Sequence, residues 1–368
     1  MPATNTTTQI PATMRAWVYY TTEGGIENAM KLVPDYPVPE SFRTLPTPPP
    51  GKGDETILVR VLAASINPVD HKLPELPLVG GFLQKKPTTP AVDFCGRVVR
   101  TSNASSTFRP GQLVAGKLPS QTQHGALAEY AVAHSGNVAP VPAGVSVEQA
   151  ATIGICGSTV WSSLVPDIEA AKKAGRGKDG LRVFINGGSG GIGSFAVPIA
   201  KALGCQVTTT CSTKNVEHVR QTLGADDVID YRTTNVGDAL IQKSKKDGQY
   251  DVALDAVGMP FGLYKAADKF LVEGAPFTRI TMDSIADGLR VALQPTFLGG
   301  GKHSAPFVNG KPTPEGLRSL LDLMVQGKLK VPLDGDAPVP FTDVPRAYAR
   351  LKTNRARGKI VIHVADDN

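Results

Sequence analysis

LRVFINGGSGGIGSFAVPIAKALG, residues 181–204, reads as a buried strand, a glycine-rich turn and a helix. Leu181, Val183, Phe184 and Ile185 form a short apolar run, as expected of a parallel strand covered on both faces. Gly188-x-Gly190-x-x-Gly193 follows with the G-x-G-x-x-G spacing. In that pattern the first glycine permits a tight turn, the second lets backbone approach a pyrophosphate, and the third lets the helix pack on the strand. Ile192, Phe195, Ala196, Ile199, Ala200 and Leu203 recur at helical spacing, so one helix face is expected to cover a sheet. Free N–H groups and the helix dipole favour a phosphate at the helix start. Pro198 is awkward inside this helix, because it deprives Ser194 of a backbone bond.

In an NAD-specific site an acidic residue about twenty positions on binds the ribose 2′-hydroxyl. Here the second strand, Gln206–Cys211, ends in Cys211-Ser212-Thr213-Lys214-Asn215, and no acid occurs before Glu217. Hydroxyls and a lysine suit a 2′-phosphate, although a surface lysine in a solvated turn reads the same way. Each charge-assisted bond contributes roughly 1.5–3 kcal/mol, so one or two would favour NADPH over NADH by about ten- to a thousandfold. Gly224–Tyr231, Tyr250–Gly258 and Ala275–Thr281 read as three further strands. The alternation of strand and helix from about 180 to 282 predicts an α/β fold with a doubly wound parallel sheet.

The chain has 368 residues, 41% of them hydrophobic, and a formal net charge of +6. That length exceeds one typical core and points to two domains. No apolar run is long enough to span a bilayer. Residues 1–13 carry no charge and no apolar core; they are expected to be a disordered tail rather than a signal or transit peptide. Lys172, Lys173, Arg176 and Lys178, and Lys243, Lys245 and Lys246, read as solvated surface without interleaved aromatics, which argues against nucleic acid. Cys95, Cys156, Cys205 and Cys211 form no C-x-x-C or zinc-type spacing, and reduced thiols in a cytoplasmic protein are the expectation. Cys211, near the expected 2′-phosphate site, is a candidate for oxidation that interferes with binding.

Thr56–Ala64, Ala91–Thr101 and Gly125–Ala133 read as strands with irregular connections, predicting a compact β domain. Pro34–Gly53 is proline-rich and expected to be an extended surface loop. Val147–Val165 reads as a helical bridge, Glu315–Gln326 as an amphipathic helix and Lys359–Val364 as a final strand that rejoins the β domain.

Together Ala63-Ala-Ser-Ile-Asn-Pro-Val-Asp70, Arg109-Pro-Gly111, Gly125-Ala-Leu-Ala-Glu-Tyr130, Gly188–Gly193, Gly224–Tyr231 and Gly358-Lys-Ile-Val-Ile362 resemble the medium-chain dehydrogenase/reductase superfamily. Within it the chain is similar to the zinc-independent quinone oxidoreductases, including plant alkenal reductases and chloroplast-envelope quinone oxidoreductase homologues. The resemblance implies a GroES-like β-barrel domain, residues 14–150 and 300–368, and a Rossmann domain, residues 151–299. It implies NADPH-dependent reduction of quinones or of the C=C bond of α,β-unsaturated carbonyls. Carried over residue by residue, it assigns Gly188, Ser189, Gly190, Gly191, Ile192, Ser212, Lys214, Tyr231 and Val257 to the coenzyme, and Asn67 and Thr159 to the reacting centre. It assigns no metal ligand. Zinc-dependent relatives have a cysteine where this chain reads Ile66-Asn67, and Gly-His-Glu where it reads Val92-Asp93. Without a Lewis acid, oxidation through a metal alkoxide is not expected.

The coenzyme supplies the hydride; the protein supplies position and electrostatics. Asn67 is the candidate for orienting nicotinamide or substrate, and an Asn-Pro turn held by its own side chain is the alternative. Asp70 is expected to brace that loop by accepting backbone bonds. No tyrosine stands between Pro68 and Arg109, so solvent, His71 or Lys72 would deliver the proton, although His71 also reads as structural. Leu76–Phe82 and Phe297–Phe307 are candidates for lining the substrate site or for an oligomer contact, with monomer and homodimer both open. Two other functions fit the same residues: a trans-acting enoyl reductase of a polyketide pathway, and a non-catalytic, crystallin-like or regulatory NADPH-binding protein.

Overall fold

The computed structural model describes residues 10–45, 55–76, 80, 85–103, 105–120, 122–177, 180–258, 260–281, 293, 300–335 and 337–367. Two compact units form, one from Met1–Ile155, Pro312–Leu321 and Leu333–Asn368, the other from Cys156–Lys311 and Asp322–Pro332. Among the described residues fourteen strands are named in chain order. Those of the first unit are β1 (Thr13–Val18), β2 (Lys31–Pro37), β3 (Thr56–Ile66), β4 (Asp93–Thr101), β5 (Leu113–Lys117), β6 (Tyr130–His134) and β7 (Val138–Pro140). The second unit holds β8 (Arg182–Asn186), β9 (Gln206–Cys211), β10 (Asp227–Asp230), β11 (Val252–Asp255) and β12 (Phe277–Arg279). β13 (Val339–Pro340) and β14 (Ile360–His363) return to the first.

In the second unit every strand pairing is parallel and the order is β10-β9-β8-β11-β12. The chain winds outward on both sides of β8, which makes the carboxyl end of β8 the switch point where open α/β sheets take ligands. Phe184 of β8 anchors the core, its ring centroid 5.9 Å from Phe270 and 6.1 Å from both Tyr250 and Phe277. Residues 304–308 run beside β12, with Arg279 N–H donating to the Pro306 carbonyl and Val308 N–H to that of Arg279, both at 2.8 Å. Of the expected segment Phe297–Phe307, residues 297–299 lie outside the described residues, and Phe307 is half exposed.

The helix after the glycine turn, Gly193–Ala202, continues through Pro198, which is buried in it. Burial of its apolar face offsets the lost bond from the Pro198 nitrogen, a cost propensity alone overstates. The expected bridge Val147–Val165 is not one helix. It is a short helix, Val147–Ala150, a π-helical turn, Ile153–Gly157, and a long helix, Ser158–Lys173.

The first unit is built on a sheet of order β13-β14-β3-β4-β5-β7, with β6 also on β3. β3 is the spine: ten of its eleven residues are buried, and two register shifts against β4 bend it. β14 pairs antiparallel with β3, Ile360 opposite Ile66, so the C-terminal strand does rejoin the β unit. β1 and β2 form a separate antiparallel pair. Pro34 therefore lies in a strand rather than in the extended loop expected for Pro34–Gly53, and Glu40–Thr44 is a short helix. A two-stranded sheet has only edges, where a missing N–H is tolerated. Residues 46–53 of that loop, 1–9 of the expected tail, and 77–79 and 81–82 of Leu76–Phe82 lie outside the described residues.

Candidate functional site

The glycine turn shows three different surroundings. A Cβ on Gly188 would lie 2.5 Å from Thr209 Oγ1, and one on Gly193 would lie 2.3 Å from the carbonyl oxygens of both Gly187 and Gly188. One on Gly190 would meet nothing within 4 Å. The outer glycines are needed for packing, while the middle one fronts open space at the helix start, where backbone amides and dipole attract anionic oxygen. The left-handed residue is Gly187, at φ 98°, one position ahead of the motif. A Cβ there would also strike Val257 Cγ2 at 2.6 Å.

Three buried polar groups hold this turn, and the sequence reading missed all three. Asn186 Nδ2 donates to Asp255 Oδ1 at 2.7 Å, and Thr210 Oγ1 donates to Asn186 Oδ1 at 2.7 Å. Gly187 N–H in turn donates to Thr210 Oγ1 at 2.8 Å, and Gly188 N–H to the Thr210 carbonyl at 2.8 Å. Asp255 Oδ2 accepts from Gly258 N–H at 3.1 Å. The ends of β8, β9 and β11 are thus tied together by groups that a buried site must satisfy. The only signal in the sequence is that each stands at or near the end of an apolar strand.

The predicted coenzyme residues gather along these strand ends. Asn215 Nδ2 donates to Ser189 Oγ at 3.1 Å, which brings the loop bearing Ser212 and Lys214 to the glycine turn. Tyr231 N–H donates to the Cys211 carbonyl at 3.1 Å, placing Tyr231 beside that loop with its ring half exposed. Arg232 lies over the Tyr231 ring at 5.6 Å from its centroid. Asp230 is kept below the usual carboxylate range by the Thr213 hydroxyl and the Arg232 N–H. Its charge is therefore engaged partly by its own loop and first by Thr213, in the loop that carries Ser212 and Lys214. Val257 follows β11 and packs beside Gly187. Cys211 is buried, and burial pushes its thiol up to about 11, which leaves little reactive thiolate at neutral pH and removes the case for an oxidation-sensitive site.

Thr159 lies elsewhere in the same unit, in the first turn of the helix Ser158–Lys173, and is buried. Its carbonyl accepts Ser163 Oγ at 2.7 Å. The backbone at Gly310 presses on it, so that a Cβ on Gly310 would be 2.3 Å from Thr159 Cα.

Asn67 belongs to the other unit and is 1% exposed. Its backbone N–H donates to Asp70 Oδ2 at 2.7 Å, the bracing expected of Asp70. Its side chain bonds two residues far along the chain. Nδ2 donates to Asp93 Oδ2 at 2.8 Å, and Oδ1 accepts from Lys359 Nζ. Asp93 Oδ1 also accepts the Ile155 N–H at 2.8 Å, and Ser65 Oγ donates to Asp93 Oδ2 at 3.3 Å. Burial raises Asp93 above the ordinary carboxylate value, and burial together with Asp93 pushes Asp70 up to about 7. His71 is buried, its Nδ1 3.3 Å from Glu75 Oε2, and burial lowers its pKa. This geometry fits the structural reading of that histidine.

Two family models match the sequence: an alcohol dehydrogenase GroES-like domain over residues 53–143, and a zinc-binding dehydrogenase over residues 223–362. The chain is 38% identical to the trans-enoyl reductase pgmF of Aspergillus terreus, over 96% of this chain and 97% of that protein. It is 30% identical to the chloroplastic NADPH-dependent alkenal/one oxidoreductase of Arabidopsis thaliana, over 96% and 80%. It shares its fold with the quinone oxidoreductase of Coxiella burnetii, at a TM-score of 0.73 and 24% identity over 96% of this chain and 99% of that one. The residues at the position of the zinc ligands do not fit a zinc ion. The resemblance places the thiolate at Asn67 and the imidazole at Val92, which cannot ligate. Asp93, next to Val92, already accepts from Asn67 Nδ2, and the Lys359 ammonium is bonded to Asn67 Oδ1 and lies 3.4 Å from Asp93. A dication would be repelled by that ammonium and would lack its preferred donors. Among the described residues no group of three His, Cys, Asp or Glu is placed to hold a metal.

Proposed function

The chain belongs to the medium-chain dehydrogenase/reductase superfamily of NAD(P)-dependent oxidoreductases, and from that premise we propose that it uses NADPH to reduce a quinone or the C=C bond of an α,β-unsaturated carbonyl. The observation that carries the reading is the open space in front of Gly190, beside a loop offering Ser212 and Lys214 and no acid. Backbone amides of Ser189–Ile192 would hold the pyrophosphate, and Ser212, Lys214 and Tyr231 the 2′-phosphate and adenosine. Val257 and Thr159 would position the nicotinamide end, and Asn67 keeps the role of orienting nicotinamide or substrate that the resemblance assigns to it. The bound coenzyme supplies a hydride. As hydride reaches the β-carbon of an enone, charge collects on the carbonyl oxygen, which requires a hydrogen-bond donor. Solvent completes the reaction with a proton, because burial holds the His71 imidazole below its ordinary pKa and so disfavours the protonated form that would donate.

A second reading shares this chemistry and is favoured by one observation: the 38% identity to a protein named as a trans-enoyl reductase extends over nearly the full length of both chains. In that case the acceptor is an enoyl thioester. NADPH consumption against quinones, trans-2-alkenals and enoyl thioesters separates the two by rate. Tight NADPH binding with no consumption against any acceptor would support a non-catalytic binding protein instead.

A further inference from the structure

We propose that Lys359 is a positioning residue: its buried ammonium, acting with Asp93, locks the orientation of the Asn67 amide. The proposal rests on the reading that Asn67 orients nicotinamide or substrate.

Three strands bring the groups together. β4 sets Asp93 opposite Ser65 on β3. The antiparallel register of β14, Ile360 opposite Ile66, brings Lys359 to Asn67 just beyond the end of β3. The Lys359 and Asp93 side chains are 2% and 0% exposed. Burying such a pair costs desolvation that its attraction only partly returns, and apolar replacements of buried pairs are often neutral or stabilising. Stability is therefore a weak reason for a lysine here.

Direction is a better one. An amide looks almost the same after a half-turn about its last bond, so only its partners define which side carries oxygen. An ammonium only donates and an ionised carboxylate only accepts. Lys359 Nζ faces Asn67 Oδ1, and Asp93 Oδ2 faces Asn67 Nδ2 at 2.8 Å. A flipped amide would set donor against donor and acceptor against acceptor. Lys359 also lies 3.4 Å from Asp93 Oδ2 and from the Ile66 carbonyl, so it is itself held on two further sides. Asp93 is fixed by the Ile155 N–H at 2.8 Å, and a Cβ on Gly154 would come 2.2 Å from Asp93 Oδ1. Neither end of the lock is loose.

The test is a double-mutant cycle on the full chain, with NADPH and a trans-2-alkenal as substrates. Lys359→Met is expected to lower kcat by about ten- to a hundredfold, the scale of a misplaced positioning group. The KM for NADPH should stay within about twofold, since the glycine turn is untouched. In an Asn67→Ala background, which is itself slow, Lys359→Met should change kcat by less than about twofold. If Lys359→Met does not fold, the charge-balanced pair Lys359→Met/Asp93→Asn takes its place in the same cycle with the same expectations. Unchanged kcat in the lysine variant, or losses that multiply in the combined variant, would overturn the proposal while leaving the role of Asn67 standing. Full turnover by Asn67→Ala would remove both.

Discussion

Asn215 hands a side-chain hydrogen bond to Ser189 across 26 positions of sequence, tying the loop after β9 to the glycine turn at 3.1 Å. Through this bond the loop that carries Lys214 keeps a fixed place relative to the phosphate-binding backbone. Lys214→Ala should therefore raise the Kd for NADPH about ten- to a hundredfold and leave that for NADH within about twofold. Titration of the two coenzymes against intrinsic fluorescence checks this. Equal losses for both would mean that Lys214 does not read the 2′-phosphate.

Gly190 and Gly193 should respond to substitution in opposite ways. Gly190→Val adds atoms to open space, so the protein should fold and melt as before while losing saturable NADPH binding. Gly193→Ala forces a methyl into two carbonyl oxygens at 2.3 Å and should cost about 1–3 kcal/mol of stability or more. Thermal melting with and without coenzyme separates the two. A Gly190→Val variant with normal affinity would place the pyrophosphate elsewhere.

The segment over Thr159 is equally demanding. Gly310→Ala puts a Cβ 2.3 Å from Thr159 Cα and should destabilise by about 1–3 kcal/mol in urea unfolding. Gly262→Ala, in the helix Phe261–Phe270 with nothing within 4 Å, should stabilise by about 0.5–1 kcal/mol. A Gly310→Ala protein as stable as Gly262→Ala would contradict the close approach.

Asp70 gives a pH signature. Its carboxyl moves from an ordinary 3.8 to about 7 in the folded unit, through burial and the nearby Asp93 carboxylate. Between these values the folded state holds the extra proton, so stability falls as pH rises from 4 to 7, and the loss is complete above that. Asn at this position can still accept the Asn67 N–H but cannot ionise. Asp70→Asn should thus raise stability at pH 8 by on the order of 1–3 kcal/mol and change little at pH 4. A gain of the same size at both pH values would show that the carboxyl is not shifted.

The parts of this molecule that were legible in the sequence are those set by local pattern. The strand–turn–helix around Gly188–Gly193 and the strand Gln206–Cys211 emerge where apolar runs and glycines dictate. Contacts between distant positions were not legible. Asn186, Thr210 and Asp255 meet across 24 and 69 residues, and nothing local marks them as partners. Lys359 stood in plain view in Gly358-Lys-Ile-Val-Ile362, yet its bond to Asn67 spans 292 residues and depends on the register of β14. Local rules also misjudged two prolines. Pro198 remains inside a helix and Pro34 inside an edge strand, because burial and an unpaired strand edge remove most of what each would otherwise cost.

Transfer of deuterium from NADPH labelled at C4 to a trans-2-alkenal, followed by mass spectrometry of the product in buffer with a strong chelator, tests the central claim most directly. The saturated aldehyde should carry one deuterium at its β-carbon, formed in step with NADPH loss and at a rate the chelator does not change. Activity that disappears with the chelator and returns with zinc, or coenzyme that binds yet is never consumed by alkenal, quinone or enoyl thioester, would contradict it.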